Sequence, residues 1–336
     1  MLEDVSPLTN HSFVFVLKQP MMMIRLNKLL VQKGLCSRRE ADRYIRDGLV
    51  TVNGMVQTQL GVKVPMDEEN VVVELLPAAQ RMQNQQATIL FHKPLGIVSC
   101  QPKLESSPSM RAIMKDSPQQ LCYTPAIQCC TAEQEYDPMN QKKKNFSNNQ
   151  NTLQERQRPK RGRSSSTSPL PEPRQQTGWA VAGRLDINST GLLVLTQSGR
   201  LASQIIRPDS NIEKEYLVRL STTPFTKERS AGSGSSTAVI RPRLDGDFPE
   251  TLTILQRFLE GILDQGQLLQ AERVDIINND QVRFVLRQGK HHQIRRMCAA
   301  VGWSVQALKR VRIGKVVLGD LPLGQWRYLG KHESFQ

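Results

Sequence analysis

The sequence predicts an α+β protein, with a small N-terminal domain followed by a larger one. The chain has 336 residues, and at roughly 150 residues per domain this length favours two domains. Helical and strand periodicities both occur, but without the regular strand–helix–strand order of a parallel sheet. The aromatic content is only 5%, which predicts that part of the chain does not pack into a core.

The charge of the chain favours a nucleic acid as its partner. The 45 Lys and Arg residues exceed the 31 Asp and Glu residues and give a net charge of +14, which attracts polyanions such as RNA. The apolar run from Phe13 to Leu17 is far shorter than the roughly 20 residues of a membrane span, and no basic residue precedes Lys18, as a signal peptide would require. We therefore expect a soluble, cytoplasmic protein without a membrane partner.

The six cysteines predict neither a disulfide framework nor a zinc site. They are few for a chain of 336 residues, and no pair has the spacing of two metal ligands separated by two residues. We expect free thiols and no bound metal.

Residues 1–23 are expected to form a disordered tail, and residues 24–76 the first domain. Three leucines there are spaced as one apolar helix face: Leu26, Leu29 and Leu30. Ser37 and Glu40 have the spacing of a capping box, which predicts that a second helix begins after Ser37. Asn53-Gly54 follows a short alternating segment and predicts a tight turn between two strands.

One face of the second predicted helix is basic. Arg39, Arg43 and Arg46 recur at i, i+4 and i+7. Further basic residues lie close by in the sequence: Lys28, Lys33 and Arg38. Such a surface can bind RNA phosphates, although a solvated helix face has the same composition.

After a polar linker at residues 77–86, the second domain is predicted to cover residues 87–330. Four segments have the apolar pattern of strands: residues 88–91, 192–195, 214–220 and 282–286. Helices are predicted at residues 251–263 and from Met297 onward. Two segments have too few apolar residues to pack a core and are expected to be disordered insertions: about 128–178 and about 227–237.

Motifs in both domains resemble known families. Three motifs of the first domain resemble the S4 RNA-binding domain: Arg25-Leu26-Asn27-Lys28, Ser37-Arg38-Arg39-Glu40-Ala41 and Val52-Asn53-Gly54. Five motifs of the second domain follow in the order typical of the RsuA-type pseudouridine synthases: Gly183-Arg184-Leu185-Asp186, Thr190-Gly191-Leu192-Leu193, Lys214-Glu215-Tyr216, Gln293-Ile294-Arg295-Arg296-Met297 and Leu308-Lys309-Arg310-Val311-Arg312-Ile313-Gly314. Any one motif is weak, but five in this order are specific.

The resemblance implies a fold and a reaction. The fold is an S4 domain of the α-L type, followed by a catalytic α+β domain built on an antiparallel sheet. The reaction is the isomerisation of uridine to pseudouridine in RNA, which needs neither a metal nor a redox cofactor.

The resemblance also implies a catalytic aspartate, tyrosine and arginine. Asp186 is implied to be the nucleophile, although a carboxylate can either attack C1′ of the ribose or take a sugar proton. Arg295 is implied to pair with Asp186, whereas spacing alone would allow His292 or Arg296 as well. Tyr216 is implied to stack on the target uracil.

Further residues are expected to contact RNA. Arg184 is expected to fill the space left by the flipped nucleotide or, alternatively, to contact a phosphate. Leu308 is implied to pack against the base, and Arg296 to face the RNA. The RNA contacts expected in the first domain are Arg25, Lys28, Arg38, Arg39 and Arg43. Lys93, in a Lys-Pro-Leu-Gly motif, is expected to shape a turn.

The residues leave several alternatives open. The preferred substrate is large-subunit ribosomal RNA, modified by a monomeric enzyme, but small-subunit ribosomal RNA or a tRNA would require the same chemistry. A non-catalytic RNA-binding assembly factor and, more weakly, a basic DNA-binding protein are the alternatives from other functional classes.

Overall fold

The computed structural model describes residues 22–66, 71–100, 124–137, 172–221 and 249–336. Two compact units divide the chain, residues 1–84 and residues 85–336. Most of the predicted tail, the middle of the first predicted insertion and all of the second lie outside the described residues. The described residues contain no helix that is long and apolar enough to cross a membrane.

The described part of the N-terminal unit contains three helices and five short strands. The helices are α1 (Leu26–Gln32), α2 (Arg38–Arg46) and α3 (Pro77–Asn84). The strands are β1 (Met23–Arg25), β2 (Val50–Val52), β3 (Met55–Gln57), β4 (Lys63–Pro65) and β5 (Val73–Leu75). Strand β1 pairs with β4, and β2 lies between β3 and β5; all these pairs are antiparallel.

The local patterns of the first domain are confirmed. Ser37 caps α2, because its Oγ accepts from the Glu40 backbone N–H at 3.4 Å while the Glu40 carboxylate accepts from the Ser37 N–H at 2.8 Å. Asn53 and Gly54 have φ values of 50° and 80°, as the two-residue turn between β2 and β3 requires. The apolar faces of α1 and α2 pack on β2 around the fully buried Tyr44.

Residues 77–84, predicted as part of a linker, form helix α3. Pro77 stands at the first helical position, where its missing N–H costs nothing, and the following residues are good helix formers. Ala79 is fully buried in the core of the N-terminal unit, and Gln83 Nε2 donates to the Leu35 carbonyl at 2.8 Å. The linker prediction is therefore wrong for this segment, because one small buried side chain gives almost no apolar signal.

The C-terminal unit is built around a nine-stranded sheet. The strands of this unit are β6 (Thr88–Lys93), β7 (Ala180–Val181), β8 (Thr190–Thr196), β9 (Lys214–Leu220), β10 (Ile262–Asp264), β11 (Gln267–Leu269), β12 (Arg273–Asn278), β13 (Gln281–Leu286), β14 (Val305–Ile313), β15 (Val316–Val317) and β16 (Trp326–Tyr328). Its described helices are α4 (Gly199–Ile206), α5 (Pro249–Glu260) and α6 (Gln293–Ala300).

The strand order of the sheet is β12-β13-β9-β14-β8-β6-β16, with β15 beside β14 and β7 beside β8. Strands β14 and β8 run parallel, and the other pairs of the sheet are antiparallel. Strands β10 and β11 form a separate hairpin. The predicted α+β class with a mainly antiparallel sheet is confirmed.

The two parts of the sheet are covered differently. Strands β6 and β8 divide their alternate side chains between two apolar cores, with Phe91 in one and Leu90 in the other. Strands β9 and β13 bury one face in a core, and ion pairs cross the opposite face, where Glu215 lies 2.8 Å from Arg312 and 3.5 Å from Arg283. The candidate site lies where the two parts meet, at β8, β14 and β9.

The first insertion was predicted too wide at both ends. Cys130 is fully buried in the core of the C-terminal unit, and the Trp326 indole donates to the Thr131 carbonyl at 2.7 Å. On the far side, the Trp179 indole donates to the Pro173 carbonyl at 2.8 Å. Both ends of the predicted insertion are held in the fold mainly through backbone carbonyls and small side chains. The amino-acid composition does not reveal contacts of this kind.

Candidate active site

A cavity of about 380 Å³ in the C-terminal unit contains four of the predicted site residues in its wall. They are Arg184, Asp186, Tyr216 and Leu308. Tyr216 and Leu308 are each only 7% exposed, whereas Arg184 is exposed. A cavity of this size suits a small ligand or a single flipped nucleotide base.

Three neighbouring elements bring these residues together. Tyr216 lies on β9 and Leu308 on β14, and these strands are paired so that Tyr216 is opposite Arg310. Asp186 lies on the loop that connects β7 to β8, residues 183–189, which we call the aspartate loop. Strand β8 then continues from the loop and pairs with β14.

Gly191 allows this parallel contact between β8 and β14. Its φ is +111°, and a Cβ atom there would lie 2.2 Å from the carbonyl oxygen of Arg310. No other residue fits so close an approach of two backbones. The glycine of the Thr-Gly motif is therefore required for β14 to reach the aspartate loop.

Each backbone carbonyl of the aspartate loop accepts a hydrogen bond. Three basic side chains supply four of these bonds: Arg310 to Gly183 (2.8 Å) and Arg184 (3.4 Å), Arg295 to Asn188 (2.7 Å) and Lys93 to Ser189 (2.8 Å). The other three donors are the hydroxyl of Ser99, the N–H of Gly96 and the N–H of Ser189, to the carbonyls of Leu185 (2.6 Å), Ile187 (3.0 Å) and Asp186 (3.0 Å). All seven backbone carbonyls of the loop are thereby paired.

Arg295 does not pair with Asp186 in this structure, contrary to the expectation. Its guanidinium donates to the carbonyls of Asn188 at 2.7 Å and Val305 at 3.2 Å. Helix α6 begins at Gln293, earlier than predicted, so Arg295 lies on its first turn. The backbone carbonyls within reach take the donors of Arg295, which therefore acts on the loop rather than on the carboxylate.

The residue that meets the Asp186 carboxylate is His292. Its Nε2 lies 3.5 Å from Oδ1 of Asp186, and both side chains are partly exposed. His292 precedes α6 in a left-handed conformation, with φ of 50°, and its ring stacks on that of His291 with 3.9 Å between centroids. Of the partners that spacing left open, His292 is the one in contact.

Arg296 is engaged elsewhere. Its guanidinium forms an ion pair with the Asp264 carboxylate and donates to the Asp264 carbonyl at 3.0 Å. It therefore ties α6 to the β10–β11 hairpin, and its expected contact with RNA stays a prediction.

Three buried cations surround the site. The sequence analysis did not assign them to it. The side chains of Lys93, Lys214 and Arg310 are 0%, 4% and 1% exposed. Burial lowers the pKa of Lys93 to about 8, with the charge of Asp186 opposing this shift and that of Arg310 adding to it. Burial, and then the charge of Arg310, lower the pKa of Lys214 to about 8. The alternation of residues 214–220 was the available signal, since it puts Lys214 on the same buried face as Tyr216.

The predicted RNA-binding residues of the N-terminal unit lie on the surface, unlike the buried cations around the cavity. Arg25, Lys28, Arg38, Arg39 and Arg43 are all exposed. Within the described part of the chain, none of them forms an ion pair with an acidic side chain. Arg43 instead lies over the Tyr44 ring, 5.4 Å from its centroid. Their charges are available to phosphate groups.

The described residues do not gather three or more His, Cys, Asp or Glu side chains in the manner of a metal site. The chemistry that the cavity offers is that of a carboxylate beside an imidazole, with an aromatic ring and an aliphatic side chain in the same wall.

Comparisons with known proteins show which families this chain resembles. The family model for RNA pseudouridylate synthase matches residues 87–300, and the S4 domain model matches residues 24–70. The dual-specificity RNA pseudouridine synthase RluF of Escherichia coli is 29% identical over 94% of this chain and 78% of its own length. The ribosomal large subunit pseudouridine synthase B of Xanthomonas campestris is 26% identical over 89% of this chain and 46% of its own length.

A solved structure of a pseudouridylate synthase aligns with 92% of this chain and 96% of its own, at 22% identity and a TM-score of 0.45. The family model itself spans more than half of the chain, including the aspartate loop, Tyr216 and Arg295. The chain therefore belongs to the RNA pseudouridine synthases of the RsuA type, and its N-terminal end carries an S4 domain.

Proposed function

We propose that this enzyme isomerises a uridine of large-subunit ribosomal RNA, with Asp186 as its nucleophile. One observation carries the proposal: Asp186, Tyr216 and Leu308 line a single cavity, and each backbone carbonyl of the loop that contains Asp186 accepts a hydrogen bond. A nucleophile held in this way reaches the reacting atom with little loss of entropy.

The reaction needs no electron donor or acceptor. An Asp186 oxygen attacks C1′ of the ribose, the bond from C1′ to N1 breaks, and its electron pair remains on the uracil. The uracil turns, a bond forms between C5 and C1′ as the bond to Asp186 breaks, C5 loses its proton and N1 gains one. Removal of a sugar proton by the same carboxylate is the alternative first step.

The other residues of the cavity have supporting roles in this proposal. The Tyr216 ring stacks on the turning uracil, and Leu308 packs against the base. Arg295 acts through its bond to the Asn188 carbonyl, two residues after Asp186. Arg184, exposed at the cavity, fills the space that the flipped nucleotide leaves in the RNA.

We infer that the two domains divide the work. The S4 domain, over residues 24–76, supplies affinity for the phosphate backbone, and residues 87–330 supply the chemistry. One observation supports ribosomal RNA as the target: a relative is named for the large ribosomal subunit. Action as a monomer in the cytoplasm stays a prediction.

The role of Asp186 is tested by Asp186→Asn, which keeps the size of the side chain and removes its charge. Turnover should fall below about 1% of wild type, as expected for the loss of a nucleophile. The affinity for RNA should stay within about twofold, because the phosphate contacts are untouched. Asp320→Asn, the same change at an exposed aspartate, is the matched control. Turnover of Asp186→Asn above that limit would refute the assignment.

The target is tested by mapping pseudouridines in total RNA from cells with and without the gene. One or more large-subunit positions should lose the modification, and wild type but not Asp186→Asn should restore it. Loss confined to small-subunit ribosomal RNA or to tRNA would refute the proposed target and leave the proposed chemistry intact.

A further inference from the structure

We infer that Arg310 is a positioning residue for the reaction: its buried guanidinium holds the aspartate loop in the geometry that presents Asp186 to the ribose. This inference rests on the proposed role of Asp186.

The guanidinium joins the loop to the centre of the sheet. Its Nε donates to the Leu192 carbonyl of β8 at 2.8 Å, and its two terminal nitrogens donate to Gly183 at 2.8 Å and Arg184 at 3.4 Å. One planar group therefore fixes both the first residues of the loop and the strand that follows it. A lysine has a single nitrogen at this place and cannot hold all three carbonyls in the same geometry.

The backbone that carries Arg310 is itself held in place. Arg310 is opposite Tyr216 of β9 on one side and beside Gly191 of β8 on the other. The approach to Gly191 is so close that β14 has no room to shift toward β8. Through Arg310, the position of the loop is thus tied to the strands that carry Tyr216 and Leu308.

A buried guanidinium at this position has a cost in stability. Arg310 is 1% exposed, and within the described residues it forms no ion pair with a carboxylate. Burial is the main cause of the lowered pKa values of the buried Lys93 and Lys214, and repulsion by Arg310 adds to both shifts. A buried charge without an acidic partner is costly, and hydrogen bonds to the three carbonyls are what compensate it. What the guanidinium adds is a fixed loop.

The experiment compares Arg310→Lys and Arg310→Ala with Arg312→Ala in the full-length enzyme. Arg312 lies on the same strand but pairs with Glu213 and Glu215, away from the aspartate loop. For each variant, kcat, KM and the folded fraction are measured on an RNA that contains the target uridine. Asp186→Asn is included as a reference.

We expect the kcat of folded Arg310→Lys to fall about 30- to 100-fold, the size of effect that a misplacement of about 1 Å causes. Its KM should stay within about twofold, and Arg312→Ala should keep a kcat near that of wild type. Guanidinium ion, added below denaturing concentration, should restore part of the kcat of Arg310→Ala, because the ion can enter the space and donate to the same carbonyls. An equal concentration of tetramethylammonium should not.

An unchanged kcat in folded Arg310→Lys would overturn the inference. So would a loss of activity that only follows the folded fraction, or an equal loss in Arg312→Ala. If Arg310→Ala does not fold, Arg310→Lys decides the question by itself. Full activity of Asp186→Asn would instead refute the proposed nucleophile, whatever the Arg310 variants do, so that the two failures are distinguishable.

Discussion

The basic side chains of the S4 domain and those around the cavity carry the same charge but lie in opposite environments. On α1 and α2 they are exposed and, within the described residues, without acidic partners. Around the cavity Lys93, Lys214 and Arg310 are almost fully buried. Their donors are used on backbone carbonyls.

The difference separates two uses of positive charge. An exposed cation gains affinity when it replaces the counterions of a phosphate, and this gain depends on salt. A buried cation that donates to carbonyls fixes geometry, and salt reaches it poorly. The net charge of +14 counts both kinds alike, so it overstates the charge that meets RNA.

The largest effect should come from a buried cation. Lys93→Met removes the bond to the Ser189 carbonyl, at the end of the aspartate loop opposite to Arg310. Because the loop then loses one anchor beside Asp186, we expect turnover at saturating RNA to fall about 100-fold. The measurement is single-turnover kinetics at several RNA concentrations, which separates rate from affinity.

Lys315→Met is the matched control, because Lys315 is an exposed lysine of the same unit, and it should keep wild-type turnover. A loss in Lys93→Met that appears as weaker RNA binding, with an unchanged maximal rate, would contradict the division between the two kinds of cation.

The next effect should come from the exposed cations. Replacing Arg39 and Arg43 by Glu should weaken RNA binding about 10- to 100-fold at low salt and lower the slope of log Kd against log salt by roughly 0.7–0.9 per lost contact. The maximal turnover rate should not change. Kd measured across a series of salt concentrations checks both statements.

The control replaces Arg200 and Arg207 by Glu. These arginines are exposed on and just after α4 in the C-terminal unit, and the double variant has the same net charge as the first. An equal change of slope in both variants would mean that only total charge matters and that the basic face of α2 has no special role.

The same comparison explains what could be predicted from sequence. The exposed face was predictable, because spacing along one helix decides which residues share it: Arg39 and Arg43 are four positions apart, and the capping box at Ser37 fixes where α2 begins. Strand β9 was predicted with its observed bounds for the same reason, since alternation is local.

The site was predictable in its identities but not in its contacts. Asp186, Tyr216 and Leu308 were named from motifs and line one cavity. The partner of Asp186 was not predicted correctly. The group that the Arg295 guanidinium reaches depends on where α6 starts and on which carbonyls lie nearby. The side-chain donors to the aspartate loop come from Lys93, Ser99, Arg295 and Arg310, which are spread over more than 200 positions. No local pattern joins residues so far apart.

A smaller effect should appear with pH. Below about pH 8 the ammonium groups of Lys93 and Lys214 keep their protons, and above it they lose them, because burial has lowered both pKa values to about 8. We therefore expect the single-turnover rate to fall by at most about tenfold between pH 8 and 9, as for loss of one essential proton. RNA affinity should change little, because arginine side chains keep their charge.

Loss of these two protons does not itself destabilise the fold. Between about pH 8 and 10.5 the unfolded chain holds more protons on these two lysines than the folded chain does. Their contribution to the free energy of unfolding therefore rises with pH in this window, opposite to the rate. A rate that stays flat from pH 7 to 9.5 would show that neither charge matters to the reaction.

The smallest effect should come from the geometry of the exposed surface. Ser37→Ala removes the Oγ that accepts from the Glu40 N–H, and loss of such a cap costs about 1 kcal/mol of helix stability. Amide hydrogen exchange in α2 should then be about fivefold faster, the factor that this energy corresponds to, while Ser37→Thr keeps an acceptor oxygen and should behave like wild type. The salt slope of RNA binding should be unchanged, because no charge is removed. Maximal turnover should also be unchanged, because the aspartate loop is untouched. A lower turnover in Ser37→Ala at saturating RNA would mean that the α2 surface takes part in presenting the uridine, and the separation of affinity from geometry would fail at that point.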